Sequence, residues 1–210
     1  MLAMLKLNIT NKEKTIKMEE RIIIKKSFFV SKIENKHILE TIKTFIETNK
    51  EKFTERSWDC EAYTSYAIYK NILFAVNEFT YLREYIEKEI NKFLKKPFMI
   101  TSSWINVYEK GGHQEFHNHV EANILKQGAG VFYLTDDNSD IEFAYFPENQ
   151  RISYKPKLGE LIVFDSDLHH RVKDSKKERM SLAFNFKYED KIWNHKHMYL
   201  VEWLKDMIYL

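Results

Sequence analysis

Three histidines and one arginine are spaced so that together they could hold a metal ion and an anion. His117 and His119 are separated by one residue, so on a regular strand both side chains project from the same face. His170 lies far along the chain, in Leu161-Ile-Val-Phe164-Asp-Ser-Asp-Leu-His-His170-Arg-Val172. On a neighbouring strand it would complete a set of three imidazoles, which suits iron, zinc, copper or nickel. Three protein ligands on one face of an ion leave other coordination positions open. Arg179 follows nine residues after His170 and begins Arg179-Met-Ser-Leu-Ala-Phe-Asn185. An arginine on an apolar strand is usually paired with a carboxylate. If that carboxylate is not a protein side chain, a dicarboxylate ligand is natural, gripped through two N–H bonds, and Ser181 faces the same way.

Other candidates compete with this set. His113-Gln-Glu115 spells a second His-x-Glu pair, but Glu115 falls in an expected loop. His169 should point away from His170 across the strand. His195 and His197 sit at the entry of an expected helix with no third partner nearby in sequence. Cys60 is the single cysteine, so no disulfide can form within the chain, and it reads as a half-buried small residue rather than a catalytic thiol. Trp104, Phe132 and Phe164 read as core, and Tyr63, Tyr66 and Tyr69 as candidates to line a cleft.

The elements that must position these residues follow from apolar spacing. Residues 1–20 are polar and lysine-rich, a tail or an extra edge strand. Arg21–Val30 is β-branched and aromatic and reads as a strand. Ser31–Phe53 and Ile72–Leu94 carry apolar residues at helical spacing, the second helix stopped by Pro97. Residues 54–72 show no clear period and read as a loop with a short strand. Beyond Pro97, strands are expected at Phe98–Tyr108, Ala129–Leu134, Ile141–Phe146, Glu160–Phe164 and Met180–Phe186. Turn signals such as Gly111-Gly112 separate them, as in a sandwich or barrel. Trp193–Leu210 reads as a last helix, packed on the barrel or forming the face of a homodimer.

The bulk numbers exclude several classes. The chain has 210 residues, 44% of them hydrophobic, enough for one good core and unlike a disordered protein. With 33 basic and 31 acidic residues, the net charge gives no case for nucleic acid or an anionic membrane as partner. No run reaches the roughly 18 apolar residues of a membrane span, the first residues do not form a signal peptide, and a cytoplasmic location is expected.

At Tyr108-x-x-Gly111 followed by His117, then His170 and Arg179, the chain resembles the 2-oxoglutarate and iron(II)-dependent oxygenases, and in this spacing their prolyl-4-hydroxylase-like branch. Trp104-Ile-Asn-Val, His-x-His119, Gly130-Val-Phe-Tyr-Leu134, Gly159-Glu-Leu-Ile-Val-Phe164, Leu168-His-His-Arg-Val172 and Glu178-Arg-Met-Ser-Leu-Ala-Phe-Asn185 together look like a subgroup of small bacterial and phage members. The resemblance is strong over about residues 98–188. It implies one domain over 21–210, with a double-stranded β-helix (jelly roll) core, mainly β, supported by N-terminal helices. It also implies that His117 and His170 are ligands to Fe(II), and that Arg179 binds 2-oxoglutarate with Ser181, Tyr108 and Asn106 as helpers. The activity implied is a dioxygenase using 2-oxoglutarate and O2 to hydroxylate a peptide side chain or small metabolite, with succinate and CO2 released.

One position departs from that family. Its second ligand is Asp or Glu, and here it is His119. Three readings stay open: a three-histidine centre, a shift to His113-Gln-Glu115, or a vestigial site in a jelly-roll binding protein. A three-histidine oxygenase without cosubstrate is a further alternative, which has no need of Arg179.

Overall fold

The structure of the protein, a computed structural model, describes residues 26–55, 61–120, 126–136, 139–146 and 150–188. The tail over residues 1–20, the first part of the strand expected from Arg21, Cys60, and the last helix with His195 and His197 lie outside the described residues.

Strand β1 (Phe28–Lys32) is followed by helix α1 (Lys36–Asn49). The Asn35 side chain caps the helix, accepting from the Ile38 N–H at 3.3 Å, which satisfies one of its free donors. Leu39, Ile42 and Ile46 form its buried stripe. Two very short strands, β2 (Thr54–Glu55) and β3 (Tyr63–Thr64), come next. The single helix expected over Ile72–Leu94 is interrupted. It is built as α2 (Ile72–Ala75), a 3-10 turn at Asn77–Phe79 and α3 (Thr80–Leu94). Val76 between them is extended (φ −130°, ψ 121°), a conformation that suits a β-branched residue. The break turns Phe79 inward, fully buried and edge-on to Phe45 at 5.3 Å. Helix α3 ends at Lys95 in the left-handed region (φ 51°), just before Pro97, which could not continue it.

The remaining strands are β4 (Phe98–Tyr108), β5 (Gln114–His117), β6 (Lys126–Tyr133), β7 (Ile141–Tyr145), β8 (Gln150–Tyr154), β9 (Glu160–Asp165), β10 (His169–Val172) and β11 (Arg179–Tyr188). A seven-stranded sheet has the order β1-β9-β6-β11-β4-β3-β2, and a four-stranded sheet the order β5-β10-β7-β8. The strand pairs are antiparallel. This is the expected mainly β jelly roll with supporting helices. Glu115 lies in β5, not in a loop, and β8 is an edge strand whose polar, exposed residues gave no strand signal.

The large sheet is covered on both faces. Outside, Ile105, Val107, Phe132, Leu182 and Phe184 join one core with the helical residues Ile42, Ile46, Leu82 and Ile86. Inside, Ala129, Tyr133, Ile162 and Phe164 meet Ile141 and Phe143 of the small sheet. Among the described residues, no helix is long and apolar enough to cross a membrane.

Gly128 and Gly130 on β6 lie opposite Phe186 and Phe184 on β11. The phenyl rings fill the space that side chains would take, and a Cβ at Gly130 would overlap the Phe184 ring, with Cζ the nearest atom. Phe184 is fully buried, so it has no room to swing aside. Gly130→Ala is expected to destabilise the protein by about 1–3 kcal/mol, the usual cost of overpacking. A lowered denaturation midpoint at unchanged slope would show this. Wild-type stability in the variant would refute it.

Candidate metal centre

The space between the sheets narrows to a cavity at the β4–β11 side, and the period-two geometry of strands decides what lines it. Trp104, Asn106 and Tyr108 project into it from β4, and Arg179, Ser181 and Ala183 from β11. The register pairs them as Arg179 with Tyr108, Ser181 with Asn106, and Ala183 with Trp104. From the small sheet come His117 and Gln114 of β5 and His170 and Val172 of β10, where His170 pairs with His117. His119 also lines the cavity, although β5 ends at His117. Its backbone N–H donates to the Ser166 carbonyl at 2.8 Å, which ties the segment beyond the strand to the turn before β10.

The cavity therefore has two chemically distinct ends. At one end, the imidazole nitrogens of His117, His119 and His170 lie within 4.8 Å of one another. Nδ1 of His117 faces the Glu115 carbonyl at 2.9 Å, and Nδ1 of His170 faces the Leu168 carbonyl at 3.2 Å. A carbonyl can only accept, so each Nδ1 carries the proton and each Nε2 presents a lone pair. Nε2 of His119 and Nε2 of His170 are 3.3 Å apart. That is hydrogen-bond distance: with the His170 proton on Nδ1, His119 can donate from Nε2, and a cation can take that proton's place between the two nitrogens. Two imidazoles on one metal at bond lengths of about 2.1 Å bring their nitrogens to roughly 3.0–3.4 Å, so the donor set fits an ion.

His170 is 3% exposed. Burial pushes its pKa well below the ordinary histidine value, the neighbouring His117 and His119 push it further, and the bond to the Leu168 carbonyl opposes them. The ring is thus held neutral, the form that binds metals. Phe164 packs edge-on to His170 at 4.7 Å, and the Trp104 ring lies 6.1 Å from His119.

At the other end, Arg179 is 1% exposed. Its guanidinium carbon lies 5.1 Å from the centre of the Tyr133 ring and 6.0 Å from that of Tyr108. Ser181 and Asn106 lie between this end and the histidines and are also buried. The Tyr108 hydroxyl donates to Gln114 Oε1 at 3.1 Å. Gln114 Nε2, Trp104 Nε1 and Asn106 Oδ1 are buried without a hydrogen bond among the described residues. Buried polar atoms in this state call for a ligand or water. No acidic residue lines the cavity among the described residues.

The structure brings His117, His119, His170, Arg179, Ser181, Tyr108 and Asn106 around one cavity. Sequence reasoning passed over Gln114 and Tyr133, which share it. Tyr133 sits two residues from Val131 on the inner face of β6, a face that alternation marks. Gln114 had no such mark.

The other candidates lie elsewhere. His113 is 3.5 Å from Glu61 and 3.8 Å from Glu115 and does not line the cavity. His169 points to the outer face of the small sheet, against Phe146 at 4.8 Å and Asn118 at 3.1 Å. On that face, buried Glu142 bonds to Arg171 across the β7–β10 pair at 3.1 Å and lies 2.9 Å from Lys173. Burial raises the Glu142 pKa, but the bonds from Lys173 and Arg171 outweigh it and hold the carboxyl below its usual value. The cross-strand pair fixes β10 to β7, and so fixes where His170 stands. Tyr66 stacks edge-on to Trp104 at 5.3 Å, whereas Tyr69 packs towards Phe45 on the helical side.

Residues 103–187 match the family model described as the 2OG-Fe(II) oxygenase superfamily. No curated protein matches the sequence. Among solved structures, a prolyl-4-hydroxylase from Pseudomonas putida is similar at a TM-score of 0.59 and 14% identity, over 79% of this chain and 94% of that one. The non-haem α-ketoglutarate-dependent carbocyclase SnoK from nogalamycin biosynthesis is similar at 0.64 and 12%, over 80% and 83%. HygX from Streptomyces hygroscopicus, with nickel, 2-oxoglutarate and hygromycin B bound, is similar at 0.59 and 10%, over 80% and 86%. At these identities the likeness shows the fold.

Proposed function

We propose that the chain is a 2OG-Fe(II) oxygenase, as the family match over residues 103–187 supports, that His117, His119 and His170 hold Fe(II), and that Arg179 receives the far carboxylate of 2-oxoglutarate. The observation that carries this reading is the two-ended cavity, with converging imidazoles at one end and a buried guanidinium at the other. A dicarboxylate keto acid has the matching two ends. HygX, solved with nickel and 2-oxoglutarate bound and separately with iron bound, supports an iron and 2-oxoglutarate pair here.

Bound iron supplies the oxidative chemistry, with 2-oxoglutarate and O2 consumed and succinate and CO2 released. The protein supplies position and shelter. The Glu115 and Leu168 carbonyls hold two imidazoles in one tautomer, with Nε2 directed inward. Phe164 and Trp104 wall the histidine end against water. Arg179, with Ser181 beside it, offers a fork of donors whose planar geometry matches a carboxylate. A histidine in place of the family's acid leaves the bound ion with one more positive charge. The near carboxylate of 2-oxoglutarate would then offset more of that charge.

We assign hydroxylation of a C–H bond as the reaction, on a peptide side chain or a small metabolite. The prolyl-4-hydroxylase likeness favours the peptide, while the similar carbocyclase marks how far reactions on this fold range. A three-histidine oxygenase that uses no cosubstrate needs no arginine to hold one, so Arg179 favours the cosubstrate-dependent reading.

Anaerobic titration with iron(II) and then 2-oxoglutarate tests it. A weak visible charge-transfer band should appear on the second addition, and succinate should form on admitting air. Iron uptake without the band would sink the cosubstrate assignment.

A further inference from the structure

We infer that Gln114 is a second donor to the far carboxylate of 2-oxoglutarate, its amide N–H held towards the cavity by the Tyr108 hydroxyl. The inference rests on the reading of Arg179 given above. It starts from one side chain with its two ends in different states. Gln114 is 4% exposed at the start of β5 and lines the cavity. Oε1 is engaged, accepting from the Tyr108 hydroxyl at 3.1 Å. Nε2 is buried and has no hydrogen bond among the described residues. Leaving a buried amide donor unmet costs stability, and a residue kept in that state is suited to a bound acceptor.

The register says which end of the cavity Gln114 serves. His117 pairs with His170 and Gln114 with Val172, and a register shift between the two pairs lets residues three apart on β5 both line the cavity, Gln114 on the side away from the metal end. Its partner Tyr108 pairs with Arg179 across β4 and β11. Gln114 therefore stands at the arginine end. The tyrosine acts through it: with its own proton given to Oε1, the hydroxyl turns the amide so that the nitrogen is the free end. An acceptor-only group with two oxygens, such as a carboxylate, can take one oxygen to Arg179 and one to Gln114.

The test uses the full chain loaded with zinc(II), which does no redox chemistry, and calorimetric binding of two keto acids. One is 2-oxoglutarate. The other is 2-oxopentanoate, which has a methyl group where the far carboxylate would be. Gln114→Leu should weaken 2-oxoglutarate about 10- to 100-fold, as expected for one lost bond to a charged group, and leave 2-oxopentanoate and zinc stoichiometry unchanged. Gln114→Glu keeps the shape but puts a like charge there, and should weaken 2-oxoglutarate further. It is the second reading if the leucine variant does not fold. Equal loss of both keto acids would mark a packing role and overturn the inference. So would wild-type 2-oxoglutarate binding in both variants, provided Arg179→Met has lost it. If Arg179→Met also binds like wild type, the arginine reading itself falls and takes this one with it.

Discussion

His170→Ala is expected to abolish metal binding while leaving the metal-free fold intact. Loss of a group that merely orients a metal ligand commonly costs 10- to 100-fold in metal affinity, so loss of a ligand should cost more than about 100-fold. His170 is a buried ring packed edge-on to Phe164 at 4.7 Å, so its removal should also cost some stability, and the metal-dependent change is what identifies a ligand. The measurement is thermal unfolding with and without iron(II) or cobalt(II). Wild type should gain stability as metal is added, because only the folded state assembles the ligands. His170→Ala and His117→Ala should show no gain, and an undiminished gain in either would remove the assignment. His119→Ala separates the open readings of that position: full loss marks a ligand, and a retained metal shift marks a bystander.

The sequence marked the histidines because their type is rare on an apolar strand, and marked β4 and β11 because both sheet faces are covered. An apolar run such as Met180–Phe186 survives as a signal when helices cover one face and the small sheet the other. Within such a run the polar residues Asn106 and Ser181 stand out, and both line the cavity. The weaker elements were illegible for local reasons. Strand β5 has only four residues, Gln114-Glu-Phe-His117, too few for alternation to show. His119 was expected to share a strand face with His117. It lies beyond the strand end and reaches the cluster because its backbone is tied to Ser166. Val76 breaks a helical period that its neighbours keep on both sides. Gln114 was invisible as a site residue because its role depends on Tyr108, a hydrogen bond across the β4–β5 turn that no spacing rule encodes.

Arg179→Met should leave metal binding untouched and remove most of the affinity for 2-oxoglutarate. Truncating one partner of a buried, hydrogen-bonded charge pair costs about 2–5 kcal/mol, or roughly 30-fold to several thousand-fold in affinity. The effect belongs to the far carboxylate alone, so 2-oxopentanoate should bind the variant as it binds wild type. Lysine at this position keeps a charge but not the planar fork, and Arg179→Lys should fall between the two. A residue kept for the fold alone would show lost stability and unchanged keto-acid binding. That outcome would move the protein towards the cosubstrate-free three-histidine reading, because a metal centre alone has no use for a buried cation at the far end of its cavity.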